Sequence, residues 1–300
     1  GNVYFLDSEA NAMLQVHTHD SCVWDLSFYS KYEFASVSED GSAVEWNFDE
    51  ASPEAIRAAL EDVNGDANEA SLVQKRSAIL GSDVYCTTYL SPAVSPSATF
   101  PDSALSSASS SRSPLISGGL ANHLMVLPSN PSSSSFTIPT PSNCQVVVAF
   151  PGTTQVVVGG GDGSLSVVDV NDNTSGSQIV RTLHDHTRKV PTISVRDQNS
   201  FFSGGFDSTI RGWDHRMQQS RSTHTLKLKN YVTGLSVDDV YLAACAGENL
   251  YMWDVRKLHE VLGGFPQAWK GLSRGIIVDS MSRQVVTASP DGVVRFWNFV

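Results

Sequence analysis

SGGFDSTIRGWDH, residues 203–215, carries the pattern on which the fold turns. A run of small residues reaches Gly205, a turn holds Asp207, and a second run ends on Trp213 and Asp214. Two such runs around a short polar turn form the pattern of a tight β-hairpin. Just upstream stands HDHT at 184–187, which has a counterpart in HTHD at 17–20. Paired histidines beside a carboxylate raise the question of a metal site. Counting forward answers it. His186 is followed by Asp207 after 21 residues and by Trp213 after 6 more, and His19 is followed by Asp40 and Trp46 at the same intervals. Two metal half-sites have no reason to share that spacing, whereas a structural repeat does. A zinc site would also need third and fourth ligands converging at suitable spacing, and the sequence offers none.

The segment recurs as SVSEDGSAVEWN (36–47), GGGDGSLSVVDV (159–170), CAGENLYMWDV (245–255) and TASPDGVVRFWN (287–298), with weaker copies at 1–7 and 119–128. Aligning the copies on Leu6, Trp46, Leu127, Val168, Trp213, Trp253 and Trp297 gives separations of 40, 81, 41, 45, 40 and 44 residues. The long one is a period plus insertions.

A period of about 40–45 residues with alternating apolar runs, a Gly/Asp turn and a Trp-Asp pair resembles the WD40 family of β-propellers. The resemblance covers nearly the whole chain. It implies an all-β, seven-bladed WD40 β-propeller built as a single domain over residues 1–300. It also implies a hydrogen-bonded tetrad in each well-matched blade. His19, Ser36, Asp40 and Trp46 supply one full set, His186, Ser203, Asp207 and Trp213 a second, and Thr287, Asp291 and Trp297 three members of a third. Val168 and Leu127 replace tryptophan and Gly247 replaces the aspartate, so those blades are expected to rely on apolar packing. Residues 203–217 and 230–258 further resemble the checkpoint and messenger-export group of the family typified by Bub3 and Rae1.

Strand counting predicts 25: two from residues 1–20, four in each of five blades beginning near residues 21, 82, 142, 187 and 230, and three from 271–300. Seven four-stranded blades need 28, so the first blade is expected to be incomplete, with roughly 25–40 residues belonging before Gly1 by the blade period. A six-bladed ring with an accessory hairpin is the alternative.

Two insertions interrupt the period. Residues 49–70 place Ser52 as a cap, Pro53 at a first helical position and Ile56, Leu60 and Val63 at helical spacing, which predicts a short helix on the rim. Residues 91–114 hold 14 Ser or Pro among 24 and predict a disordered loop. Its Ser91-Pro92, Ser95-Pro96 and Ser113-Pro114 pairs suit proline-directed kinases.

Bulk properties narrow the function classes. The longest apolar runs, such as VVVAF at 146–150, fall well short of the ~20 residues a membrane helix needs. The N-terminal stretch lacks the basic start and apolar core of a secretory leader. The cysteines, Cys22, Cys86, Cys144 and Cys245, sit singly in apolar runs, which predicts buried free thiols and a cytoplasmic or nuclear setting. Residues 1–70 carry a net charge of −13 and the rest +2. Residues 181–229 hold nine Lys or Arg against four Asp, either ordinary solvated surface or a basic patch for an acidic peptide or a nucleic-acid strand.

No catalytic motif appears. GGGDG at 159–163 lacks the Lys-Ser/Thr of a phosphate loop and lies between strands. The expectation is a non-enzymatic, monomeric scaffold with no cofactor or metal, binding proteins or peptides of a larger complex through loops held by a stiff ring. Trp24, Arg188, Tyr231 and Arg274, just outside the first strands of their blades, are the candidate partner-binding residues, since exposed aromatics and arginines carry most interface energy. A single-stranded nucleic-acid binder and a WD40-type hydrolase are the competing readings.

Overall fold

The computed structural model describes residues 1–6, 12–29, 33–48, 72–79, 83–90, 113–129, 133–170, 178–217 and 220–299. The expected rim helix and the Ser/Pro-rich loop through residue 112 lie outside these residues. Within them the chain is all β, with 25 strands as the repeat predicts.

Consecutive strands pair antiparallel into meanders. A two-stranded ribbon comes first, β1 (Asn2–Leu6) with β2 (Ala12–His17). Five four-stranded sheets follow. The first holds β3 (Val23–Phe28), β4 (Glu33–Ser38), β5 (Ser42–Phe48) and β6 (Leu72–Ile79), and the second β7 (Val84–Tyr89), β8 (Leu115–Gly119), β9 (His123–Leu127) and β10 (Phe136–Pro139). The third is β11 (Cys144–Ala149), β12 (Gln155–Gly160), β13 (Ser164–Asp169) and β14 (Gln178–His184). The fourth is β15 (Thr192–Val195), β16 (Ser200–Gly204), β17 (Thr209–Asp214) and β18 (His224–Lys227). The fifth is β19 (Val232–Val237), β20 (Tyr241–Ala246), β21 (Asn249–Asp254) and β22 (Val261–Phe265). A three-stranded sheet of β23 (Gly275–Asp279), β24 (Gln284–Ala288) and β25 (Val294–Asn298) ends the chain.

The sheets form a β-propeller, and the expected seven blades are corrected to six plus the β1–β2 ribbon among the described residues. The repeat count could not settle this, because a two-strand half copy reads the same whether it is part of a blade or an accessory hairpin. The innermost strands β3, β7, β11, β15, β19 and β23 pack successively on one another. Their side chains also clasp the next blade's backbone. Asp25 Oδ2 accepts from Thr87 N at 2.9 Å, Thr192 Oγ1 from Leu235 N and Ser194 Oγ from Val237 N at 3.0 Å, and Ser236 Oγ from Val278 N at 3.0 Å. These bonds satisfy amides that a lone inner edge would leave unpaired. Between them lies an apolar filling of aliphatic and aromatic residues, such as Phe150, Val157, Leu165, Phe201 and Trp213.

The last and first blades meet differently. The Arg274 guanidinium lies 5.0 Å over the Trp24 ring, closing the inner seam by a cation–π contact. Below it, Trp24, Leu26 and Phe28 are exposed along one face of β3, and Ile277, 64% exposed, leads a register row through Val286 to Phe296. Two partly bare apolar sheet faces therefore border the seam.

Three cysteines are buried free thiols as expected, with burial pushing Cys144 up to about 11 and Cys245 to about 12. Cys22 is exposed, a correction. It precedes β3 at the loop, where its apolar sequence neighbours do not cover it.

Candidate functional site

The ring's platform is built where the turn inside each sheet meets the loop that enters its inner strand. One backbone bond recurs there. Glu39 N donates to Cys22 O at 3.0 Å, Leu120 N to Asp83 O at 3.0 Å, Gly161 N to Asn143 O at 3.0 Å, Phe206 N to Lys189 O at 3.0 Å and Gly247 N to Tyr231 O at 3.1 Å. Turn and loop in five blades are thus stapled together, which holds their exposed side chains in place.

Beneath the staple lie the polar latches. In the fourth blade Trp213 Nε1 donates to Ser203 Oγ at 2.8 Å, His186 Nε2 lies 2.8 Å from the same oxygen, and His186 Nδ1 lies 2.9 Å from Asp207 Oδ2. Thr209 Oγ1 and Thr187 N also donate to Asp207, at 2.7 and 3.0 Å. Burial alone would raise the Asp207 carboxyl; these bonds outweigh it and hold it far below the ordinary range. Gly205 leaves room for the assembly, since a Cβ there would sit 2.6 Å from both Asp207 Oδ1 and His186 Nδ1. The first blade repeats the arrangement: His19 Nε2 to Ser36 Oγ 2.6 Å, Trp46 Nε1 to Ser36 Oγ 2.8 Å and His19 Nδ1 to Asp40 Oδ2 3.3 Å. Burial lowers the His19 imidazole below its ordinary value.

The last blade has Trp297 Nε1 on Thr287 Oγ1 at 2.9 Å, with no histidine; Arg295 instead holds Asp291 with both guanidinium arms, Nη2 to Oδ2 at 2.7 Å. The third blade, with Val168 in the tryptophan position, is not held by apolar packing alone. Its Asp162 accepts from Ser142 Oγ at 2.9 Å and Ser164 Oγ at 2.6 Å, a correction that follows from serines able to reach the turn carboxylate unaided.

Ser203, His186 and Asp207 are connected in the order of a hydrolytic triad. The chemistry is blocked by geometry: the Ser203 hydroxyl is fully buried and occupied by the indole N–H, so no carbonyl carbon can approach it. Ser36 is sealed in the same way. Among the described residues no three His, Cys, Asp or Glu side chains converge to hold a metal ion.

A family profile described as "WD domain, G-beta repeat" matches residues 177–214, the stretch that contains the fourth-blade latch. The chain carries a WD40 repeat. Its relatives include an F-box/WD-40 repeat-containing protein of Arabidopsis thaliana, 25% identical over 52% of this chain and 30% of the relative. The spindle assembly checkpoint protein bub3 of Schizosaccharomyces pombe is 26% identical over 45% of this chain and 41% of its own. A THO complex subunit 6 homolog of Danio rerio is 25% identical over 37% and 36%. The alignments span less than half the length of these relatives.

All four candidate partner residues are exposed, but they do not form one cluster. Arg188, Tyr231 and Arg274 precede their inner strands as expected, whereas Trp24 lies within β3, a correction, because that strand already begins at Val23. Trp24 and Arg274 touch each other, and Trp24 also meets Tyr85 edge-on at 5.7 Å. Tyr231 stacks on Phe206 at 5.0 Å and 6°, and Lys189, beside Arg188 in the chain, caps Phe206 at 4.2 Å. Sequence reasoning missed Phe206, which reads as a spacer within the turn; the signal was an aromatic one residue before the latch aspartate. Within the basic segment, Arg181 donates to His215 O, Arg196 to Asp239 O, Arg211 pairs with Asp185 and Arg216 with Asp214. No described helix is long and apolar enough to cross a membrane.

Proposed function

We propose that this chain is a non-enzymatic scaffold that docks peptides or domains of partner proteins on the stapled platform of the ring, in the cytoplasm or nucleus and as a monomer. The observation that carries it is the Lys189–Phe206–Tyr231 stack: large side chains left at the surface yet fixed in place, the arrangement that makes an interface anchor. Two relatives, a spindle assembly checkpoint protein and a THO complex subunit, support the reading. Affinity purification with mass spectrometry of the intact protein and of Tyr231→Ala and Arg188→Ala variants tests it. Loss of the same partners from both variants is expected; an unchanged partner list rejects the platform.

The nucleic-acid reading is weaker. Four of the basic segment's cations are already engaged by carboxylates or carbonyls, and phosphate contacts dominate such affinity. Filter binding of single-stranded DNA at low salt should show no retention.

A further inference from the structure

A cavity of about 700 Å³ opens on the platform beside Tyr231, lined by Lys229 and Asn230, the Gly247–Asn249 turn, Gln267 and Leu272. Three loops build it, those before β19, between β20 and β21, and before β23. The loops are bonded to one another: Gly247 N donates to Tyr231 O at 3.1 Å, Ala268 N to Glu248 O at 2.8 Å, Gln267 N to the Asn249 side-chain Oδ1 at 3.2 Å and the Trp269 indole Nε1 to Gly247 O at 3.1 Å. The walls are therefore preorganised, which lowers the ordering cost of binding. Gln267 is held at φ 53°, a left-handed conformation uncommon for a non-glycine residue, and such outliers concentrate at binding sites.

The chemistry of the lining is mixed. Lys229 takes part in none of the ion pairs among the described residues. Glu248 Oε1 accepts from Gly271 N at 3.3 Å. The amide side chains of Asn230 and Gln267 match the donors and acceptors of an extended backbone. Leu272 and Tyr231, 48% and 42% exposed, offer an apolar pair.

The geometry points to a subsite for an extended peptide that sets a carboxylate against Lys229 and an aliphatic or aromatic side chain against Leu272 and Tyr231. Lys189 of the neighbouring blade, its ammonium 4.2 Å over the Phe206 ring that stacks on Tyr231, adds a second positive charge beside the site, which gives it charge complementarity to an acidic segment. A nucleic-acid strand fits less well. Phe206 already covers one face of Tyr231, leaving a single stacking surface where successive bases need several, and Glu248 opposes phosphate. This inference rests on the docking-platform reading and specifies its ligand.

Selection of a randomised dodecapeptide library on the intact protein tests both levels. Enriched peptides should carry Asp or Glu close to an aliphatic or aromatic residue, and their affinity should fall about tenfold or more in Lys229→Glu, with the variant's melting temperature unchanged. Peptides that bind Lys229→Glu normally but lose affinity in Arg274→Ala would overturn the subsite and leave the platform standing. No enrichment would overturn both, and competition of the selected peptides by a dodecamer of oligothymidylate would reassign the cavity to nucleic acid.

Discussion

His186 and Trp213 meet on one atom: the Ser203 hydroxyl oxygen lies 2.8 Å from the imidazole Nε2 and 2.8 Å from the indole Nε1. That oxygen joins a loop to the third strand of its sheet and thereby fixes the turn carrying Asp207. In Ser203→Ala two buried nitrogens lose their partner, and stability should fall by about 1–3 kcal/mol. Thr287→Ala should cost less, about 0.5–1.5 kcal/mol, because one nitrogen rather than two loses its partner and that indole is only half-buried. Urea titration of the two variants compares them; equal losses would deny the latch its role.

Gly205→Ala should mimic loss of the latch without removing any polar group. The added methyl lands on Asp207 and His186, and relieving it costs about 1–3 kcal/mol, as overpacking does. An unshifted urea midpoint would show that the histidine moves aside freely.

Trp24 and Arg274 should be energetically coupled in stability. A double-mutant cycle on their alanine variants is expected to return about 0.5–1 kcal/mol, the scale of an exposed cation–π pair. Zero coupling would free both residues for partner contacts alone.

The Asp25 carboxyl is pushed up to about 7 by burial, against the opposing bonds from Thr87 N and Leu26 N. Its ordinary value is 3.8, so between these limits the folded chain holds a proton that the unfolded chain has lost. The stability it contributes is complete below 3.8 and is lost as pH rises through about 7. Asp207 and Asp40, both lowered, act in the opposite sense: their contribution is complete above the ordinary carboxylate value and is lost as pH falls below it toward their lowered values. Asp25→Asn should therefore flatten the decline in melting temperature between pH 4 and pH 7 and leave the acid limb intact. A variant with the wild-type profile would assign that decline elsewhere.

Much of this was legible in sequence because hydrogen-bonded latches demand fixed spacing. His19 and His186 stand at the same intervals from their serines, aspartates and tryptophans, and the 25 described strands follow the order of the repeat. What spacing cannot encode is how a ring closes. The half copy at residues 1–20 leaves seven blades with an incomplete first one and six plus a hairpin both open, and the described residues hold six blades and a two-stranded ribbon. Contacts between blades were also hidden: Trp24 and Arg274 lie at opposite ends of the chain, and Phe206 meets Tyr231 only once two loops are stapled side by side. Arg295 stands in for a histidine that its blade lacks, a substitution visible only from where its guanidinium reaches.

The inner strands are linked like a riveted belt, each clasp handing a backbone amide of one blade to a side chain of its neighbour. The Arg274–Trp24 pair joins its two blades by a stacked guanidinium instead, and should be the softer joint. Breathing of the molecule should accordingly begin at Trp24 and Ile277 and die away toward Phe201, and amide hydrogen exchange should trace that gradient around the circumference.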